Sequence, residues 1–416
     1  MSNDIEVFVD FVPGLKRVGT IHRHTRRGGE TISFEYHADW LQETERFSLE
    51  PALALGRGAF VPPGGAASFG SISDSAPDTW GRRLMQRAER RQAEREDRQA
   101  RTLMEVDYLL GVSDFVRLGA LRFRKTGDQE FQTPMNTGVP ALIDLGRLLQ
   151  VTERVLRDEE TDEDIQLIFA PGSSLGGSRP KASVVDQNGR LTIAKFPKET
   201  DDYSWELWEA VALNLAARAG IRTSAHELVK VADKPVLLSH RFDRDGGVRI
   251  PFLSAMSMMG LKDGERASYP ELVDVLTQYG ARAAQDAHEL FRRMAFNVLV
   301  SNVDDHLRNH GFLWVSRAGW TLSPAYDLNP VPSQVRPRIL TTNISLDEAT
   351  CDIDLVLSQA EYFGLGAASA KTIVKEVATA TATWQDVAKS LNARVSELRL
   401  MAGAFEHADL RKALAL

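Results

Sequence analysis

The chain has 416 residues, 43% of them hydrophobic, and a formal net charge of -7. That length suits one large two-lobed unit or two to three domains, and the acidic balance argues against a protein that coats nucleic acid by charge alone. A single cysteine, Cys351, excludes a disulfide framework and a cysteine-rich zinc site. No apolar stretch approaches the roughly 18 residues that span a bilayer, and Met1-Ser-Asn-Asp lacks the basic and apolar regions of a signal peptide. The expectation is a soluble, cytoplasmic protein without membrane contact.

The first stretch is expected to be β structure. Ile5 to Asp10, Val18 to His22 and Glu30 to Tyr36 cluster β-branched and aromatic residues, with Gly14, Gly28 and Gly29 at the connections. A helix is predicted from Trp80 to about Ala100, rich in arginine (Arg82, Arg83, Arg87, Arg90, Arg91, Arg95, Arg98) but interleaved with Glu89, Glu94, Glu96 and Asp97. Such interleaving reads as a solvated, salt-bridged face rather than a phosphate-contacting one. A turn and strand follow through Phe123, then a helical segment near Ala141 to Arg157. The acidic run Asp158 to Asp164 reads as an exposed connection. Beyond residue 165 the pattern changes to strand, loop, strand and helix. Helices dominate after Glu271, and an alanine-rich helical stretch covers Ala367 to Leu416.

Chemistry concentrates in the second half. Pro171-Gly-Ser-Ser174-Leu175-Gly176-Gly177-Ser178-Arg-Pro-Lys181 is rich in small residues that let backbone amides approach a phosphate, although the ending of a Walker A loop is missing. Leu191-Thr-Ile-Ala-Lys195-Phe is an apolar strand carrying one lysine. On the following helix, Ser204 to Ala219, Glu209 lies beside the apolar stripe and can face inward, whereas Glu206 is not expected to. A strand lysine meeting a helix glutamate is how kinases place nucleotide phosphates. Pro235 to His240 is an apolar strand ending in the polar turn Arg241-Phe242-Asp243-Arg244, where a kinase hinge would meet adenine. A local ion-pair turn is compatible with the same residues.

Finally, an apolar helical run delivers Asn302-Val-Asp304-Asp-His306-Leu-Arg-Asn309, and a strand pair delivers Pro324-Ala-Tyr326-Asp327. Asp304 precedes Asn309 by five positions, the spacing of catalytic Asp and metal-binding Asn in protein kinases. Taken alone, the cluster also suits a helix cap. The joint order of loop, lysine, glutamate, hinge, Asp-His-Asn and final Asp is far more specific than any one piece.

These motifs, together with Phe69-Gly70, Asp74-Ser-Ala-Pro77-Asp78-Thr-Trp80-Gly81 and Leu118-Gly-Ala-Leu-Arg-Phe123, resemble the HipA family of serine/threonine kinases, toxins of bacterial type II toxin–antitoxin pairs. The resemblance implies an α+β, protein-kinase-like two-lobed fold. A β-rich region would cover 1–150 and a kinase core 151–416, with small-lobe elements to about 245 and a helical large lobe over 246–416. It implies ATP and Mg2+ as cofactors, with Asp304 as catalytic base and Asn309 and Asp327 as metal ligands. Lys195 would hold the nucleotide phosphates, opposite Glu209, and Ser174 to Lys181 would form the phosphate loop. His240, Arg241 and Phe242 would border adenine, His306 and Tyr326 would line the nucleotide site, and Ser174 would be an autophosphorylation site. The loop ends Gly-Ser-Arg-Pro-Lys where family members often have Gly-Ala-Gln-x-Lys, which leaves its phosphate contacts open. The implied partners are a helix-turn-helix antitoxin of HipB type, operator DNA mainly through that antitoxin, and a protein substrate such as an aminoacyl-tRNA synthetase. Two other readings share the motifs: a corepressor acting through its antitoxin, and a small-molecule or lipid-head-group kinase.

Overall fold

Alternating and clustered β-branched residues at the N-terminus do form strands, and most of their side chains are buried because the strands sit inside one antiparallel sheet. The computed structural model describes residues 4–12, 14–26, 29–132, 144–169 and 177–416. The sheet comprises β1 (Ile5–Phe11), β2 (Gly14–Arg26), β3 (Gly29–Tyr36), β4 (Ala59–Phe60) and β5 (Leu121–Lys125), in the order β4-β3-β2-β1-β5. β1 is an interior strand, pairing Ile5 with Ile21 of β2 and with Lys125 of β5, and it is buried along nearly its whole length.

Two compact units divide the chain: Met1–Glu199 with Lys230–Lys234 and Leu238–Lys262, and Thr200–Val229 with Pro235–Leu237 and Asp263–Leu416. The first unit runs past residue 150 for a packing reason. Helix Thr79–Arg95 gives Trp80, Leu84 and Met85 to a core shared with Val151 and Val155 of helix Leu145–Leu156 and Ile168 of helix Asp162–Phe169. The arginine-rich helix stops at Arg95, short of the predicted Ala100. Asp97 takes a left-handed φ of 49°, and Arg98 folds back onto Glu89 and Glu96.

The acidic run is only in part the exposed connection expected of it: Asp158, Glu159, Thr161 and Glu163 are exposed, but the others are not. Asp162–Phe169 is helical, and Glu160 and Asp164 are buried. Arg87 reaches Glu160 at 2.9 Å and Asp158 at 2.5 Å, Arg95 reaches Asp162 at 3.0 Å, and Arg154 forks onto Asp164. The salt-bridged face expected of the helix therefore exists, but many of its acids come from this distant run.

In the second unit, helix Ala283–Val300 is the central apolar rod, burying Leu290, Phe291, Met294, Phe296, Val298 and Leu299. It ends where Ser301 adopts a left-handed conformation. The hairpin Gly311–Ser316 and Gly319–Leu322 is pinned to the first turn of this helix by Asp286, which accepts from Thr321 Oγ1 at 2.7 Å and from the Leu322 N–H at 3.1 Å. Gly319 is required there: its φ is +121°, and a Cβ would lie 2.2 Å from the Tyr279 carbonyl. The alanine-rich end forms helices Ala367–Thr381, Trp384–Ser390, Val395–Phe405 and Ala408–Leu414, as expected. Trp208, Trp384 and Phe405 cluster within this unit, the last two stacked at 4.8 Å. Among the described residues no helix is long and apolar enough to cross a membrane, and Cys351 is buried.

Candidate functional site

The helix Ala283–Val300 delivers its chemistry because its apolar run stops at a left-handed residue and the chain turns at once. After Ser301 the backbone passes through Asp304 into a short 3-10 turn, Leu307–Asn309. The Asp304 carbonyl accepts from the His306 N–H at 2.9 Å and from the Asn309 side-chain Nδ2 at 3.2 Å. The amide nitrogen of Asn309 is thereby spent on holding the turn. Its Oδ1 is buried and, among the described residues, has no hydrogen-bond partner, a state rare in folded proteins unless a ligand supplies the partner. The Nδ1 of His306 is likewise buried without a partner.

Asp304 differs from its neighbours. Its side chain is 54% exposed, and its recorded ion pair, to Arg336 at 3.5 Å, is loose and equally exposed. Such a carboxylate is accessible to an incoming hydroxyl. The adjacent Asp305 is buried and serves the turn: its carboxylate accepts a short hydrogen bond from the Tyr269 hydroxyl and lies 3.0 Å from His310 Nε2. Burial pushes the Asp305 carboxyl up, but the His310 and Tyr269 contacts outweigh it and hold the group below its ordinary value. Tyr269 is correspondingly pushed well above the usual tyrosine range by burial and by the charge of Asp305.

Three ties bring the Asp327 segment to this turn. The Tyr326 hydroxyl donates to the Arg308 carbonyl at 2.6 Å, the Asn329 N–H donates to Asn302 Oδ1 at 3.1 Å, and the Val331 N–H donates to the Ser301 carbonyl at 3.1 Å. Asp327 itself has a left-handed φ of 57°, uncommon outside glycine. Its Oδ1 accepts from Asn329 Nδ2 at 3.1 Å. The second unit thus gathers Asp304, His306, Asn309, Tyr326 and Asp327 into one neighbourhood.

Glu209 is also in this unit, buried on helix Trp205–Arg218. Glu206 is buried as well, contrary to expectation. Almost every position of that helix is interior, so it has no single apolar stripe from which to read an outward face.

In the first unit, strands β6 (Lys181–Val185) and β7 (Leu191–Lys195) form an antiparallel hairpin whose register sets Lys181 directly opposite Lys195. Like charges so placed repel unless an anion joins them. Asp78, which also caps helix Thr79–Arg95, meets the buried Lys181 ammonium at 2.9 Å. Gly177, with φ +100°, would set a Cβ 3.1 Å from that same ammonium. Gly177 and Ser178 are exposed; Ser174, Leu175 and Gly176 lie outside the described residues.

His240, at the end of strand Lys234–His240, shares a 2.9 Å hydrogen bond between its Nδ1 and Thr192 Oγ1. The Arg241 N–H donates to the Leu191 carbonyl. The Arg241 guanidinium is committed elsewhere: it forks onto Asp243 and donates to the carbonyls of Val116 and Arg117. Burial would raise the Asp243 carboxyl, but Arg241, Arg244 and the Gly119 N–H hold it at about 2. Phe242 packs at 6.3 Å from Phe252. The ion-pair reading of this turn is therefore correct for its side chains, and whatever Arg241 offers a base is main chain.

Asn302, Asn329, Asp305, Tyr269 and Asn297 carried no role in the sequence reading. The signal was present in one form, since Asn297 is a lone polar residue within the apolar run Phe296 to Val300.

Comparison with known proteins agrees with the motifs. The HipA N-terminal domain model matches residues 11–106, and the HipA-like C-terminal domain model matches residues 173–384, half of the chain. A solved structure of Shewanella oneidensis HipA, in a complex with HipB and operator DNA, is similar with a TM-score of 0.70 at 16% identity, covering 99% of this chain and 96% of that one. The Sinorhizobium fredii protein Y4mE, whose name assigns it provisionally to the kinases, is 27% identical over 37% of this chain and 41% of its own length. A Haemophilus influenzae protein named in the same way is 23% identical over 39% of this chain and 54% of its own. The chain thus spans only two fifths to about half the length of these curated relatives. The α+β, kinase-like fold of two lobes expected from the sequence is the fold observed, and the chain belongs to the HipA family.

Proposed function

We propose that this protein is an ATP- and magnesium-dependent serine/threonine protein kinase of the HipA toxin type. The observation that carries the reading is the pairing, in one turn, of an exposed Asp304 carboxylate with the buried Oδ1 of Asn309, which has no partner among the described residues. Asp304 orients the attacking hydroxyl and accepts its proton; Asn309 Oδ1 and the Asp327 carboxylate are the hard oxygen donors that magnesium prefers. Among the described residues no group of three His, Cys, Asp or Glu could hold a metal alone. A kinase site does not need one, because the nucleotide phosphates complete the coordination. Bound magnesium would neutralise charge on the phosphates during transfer.

Lys195 contacts the nucleotide phosphates with the loop from Ser174 to Lys181, and its place opposite Lys181 suits an anionic ligand. Lys181 is shared with Asp78, so a phosphate competes with that carboxylate. Main-chain groups at His240 to Phe242 border adenine. Ser174 is the autophosphorylation site: a phosphate there adds roughly -1.5 to -2 charges to the phosphate loop and lowers ATP affinity. The partners are a HipB-type antitoxin and, through it, operator DNA.

The test is transfer of labelled γ-phosphate in a cell extract of the host, with wild type and Asp304→Asn. Label in proteins, with phosphoserine at Ser174 in the wild type alone, is the expected result. Label confined to small metabolites or lipids would overturn the protein-kinase assignment.

A further inference from the structure

A run of buried hydrogen bonds lies beneath the Asp304 turn, and its direction is fixed from both ends. The Asn329 backbone N–H can only donate, so the atom of Asn302 that it meets at 3.1 Å is the oxygen. Asn302 must then present its amide nitrogen to Asn297 Oδ1, at 3.1 Å. Asn297 in turn donates from Nδ2 to the Tyr269 hydroxyl at 2.9 Å, which leaves that hydroxyl's proton for the Asp305 carboxylate. A carboxylate at that end accepts and cannot donate, so no member of the run can flip without breaking its neighbours. Asn302, Asn297, Tyr269 and Asp305 are all almost completely buried. At its other end the run reaches Asp327, because Asn329 donates from Nδ2 to Asp327 Oδ1 at 3.1 Å. One residue thus receives the run through its main chain and passes it to the left-handed aspartate through its side chain.

We propose that Asn302 and Asn329 are positioning residues that hold Asp327 in its metal-binding orientation, and that the buried run fixes this orientation relative to the segment bearing Asp304. The proposal rests on the reading of Asp327 as a magnesium ligand. A ligating carboxylate held at one oxygen by an amide presents the other in a defined direction, and loss of such an outer partner typically costs about 10- to 100-fold in metal affinity.

The experiment titrates magnesium against binding of a non-hydrolysable ATP analogue by wild type, Asp327→Ala, Asn329→Ala and Asn302→Ala, with thermal melting of each. Asn329 is half-buried, so Asn329→Ala is the variant that keeps the fold; Asn302→Ala is the second probe. The expected result for Asn329→Ala is a magnesium midpoint about 10- to 100-fold higher, with near-wild-type analogue affinity once magnesium saturates. An unchanged midpoint in folded Asn329→Ala overturns the proposal, and so does an equal loss of analogue affinity with and without magnesium. If Asp327→Ala shifts the midpoint and Asn329→Ala does not, the positioning role alone falls. If wild type binds the analogue without regard to magnesium, the metal reading falls and this proposal with it.

Discussion

Two polar clusters in this protein each bury polar atoms and are oppositely finished. Around Asp243, both carboxylate oxygens are taken by Arg241, Arg244 and the Gly119 N–H, and every nitrogen of the Arg241 guanidinium donates to an oxygen. Around Asn309, the turn is held by the amide nitrogen while Oδ1 and the neighbouring His306 Nδ1 have no partner among the described residues. Satisfied burial of charge is a device of architecture, whereas a buried acceptor left open costs stability and calls for an explanation, here a ligand. The contrast separates structural from functional polarity where residue type alone does not. Arg-x-Asp-Arg and Asp-Asp-His-x-x-Asn look equally catalytic as strings.

The largest expected effect is at the open cluster. Asp304→Asn should lower phosphoryl transfer by between about 100- and 10,000-fold, the usual worth of a positioned general base, while its melting temperature stays near wild type because the Asp304 side chain is mostly in solvent. A rate close to wild type would break the contrast from the functional side.

At the closed cluster the effect should fall on stability instead. Asp243→Ala strands two guanidinium groups and should cost about 3–5 kcal/mol in chemical denaturation. The same carboxylate carries a pH signature. Its value is depressed from 3.8 to about 2 in the fold, so its contribution is complete above about pH 4 and is lost as pH falls towards 2. Asp243→Asn should flatten that acid limb, and an unaltered limb would contradict the ion-pair account.

Asn309→Ala sharpens the comparison further. It removes one hydrogen bond to the Asp304 carbonyl but also an unsatisfied acceptor, so the net cost in denaturation should stay within about 1 kcal/mol. Smallest of all is Arg95→Ala. That side chain is mostly exposed in its pair with Asp162, and the change should be worth no more than about 0.5 kcal/mol by thermal melting.

Much of this was legible in the sequence because the signals are local. Ile5 to Phe11 is a strand by composition, Ser204 starts a helix by capping the Leu207 N–H, and Asp304 with Asn309 keep their spacing in one turn. What was not legible depends on partners far along the chain. The acidic run after Arg157 looks solvated in sequence, yet Glu160 is drawn in by Arg87, 73 residues away. The burial of Glu206 was hidden by a helix covered on nearly all sides. The link from Asn302 to Asp327 was invisible for the same reason: its steps pass through Asn329 and the main chain, and no spacing rule encodes them.

On the proposed function, the turn at 304–309 and Asp327 form a magnesium-dependent nucleotide site in which metal holding and base function are separate. Calorimetry with a non-hydrolysable ATP analogue and magnesium, on wild type, Asp304→Asn and Asp327→Ala, tests it most directly. The account predicts near-equal affinity for wild type and Asp304→Asn and a marked loss for Asp327→Ala that appears only when magnesium is present. Equal affinity in all three proteins, or no binding by wild type, would contradict it.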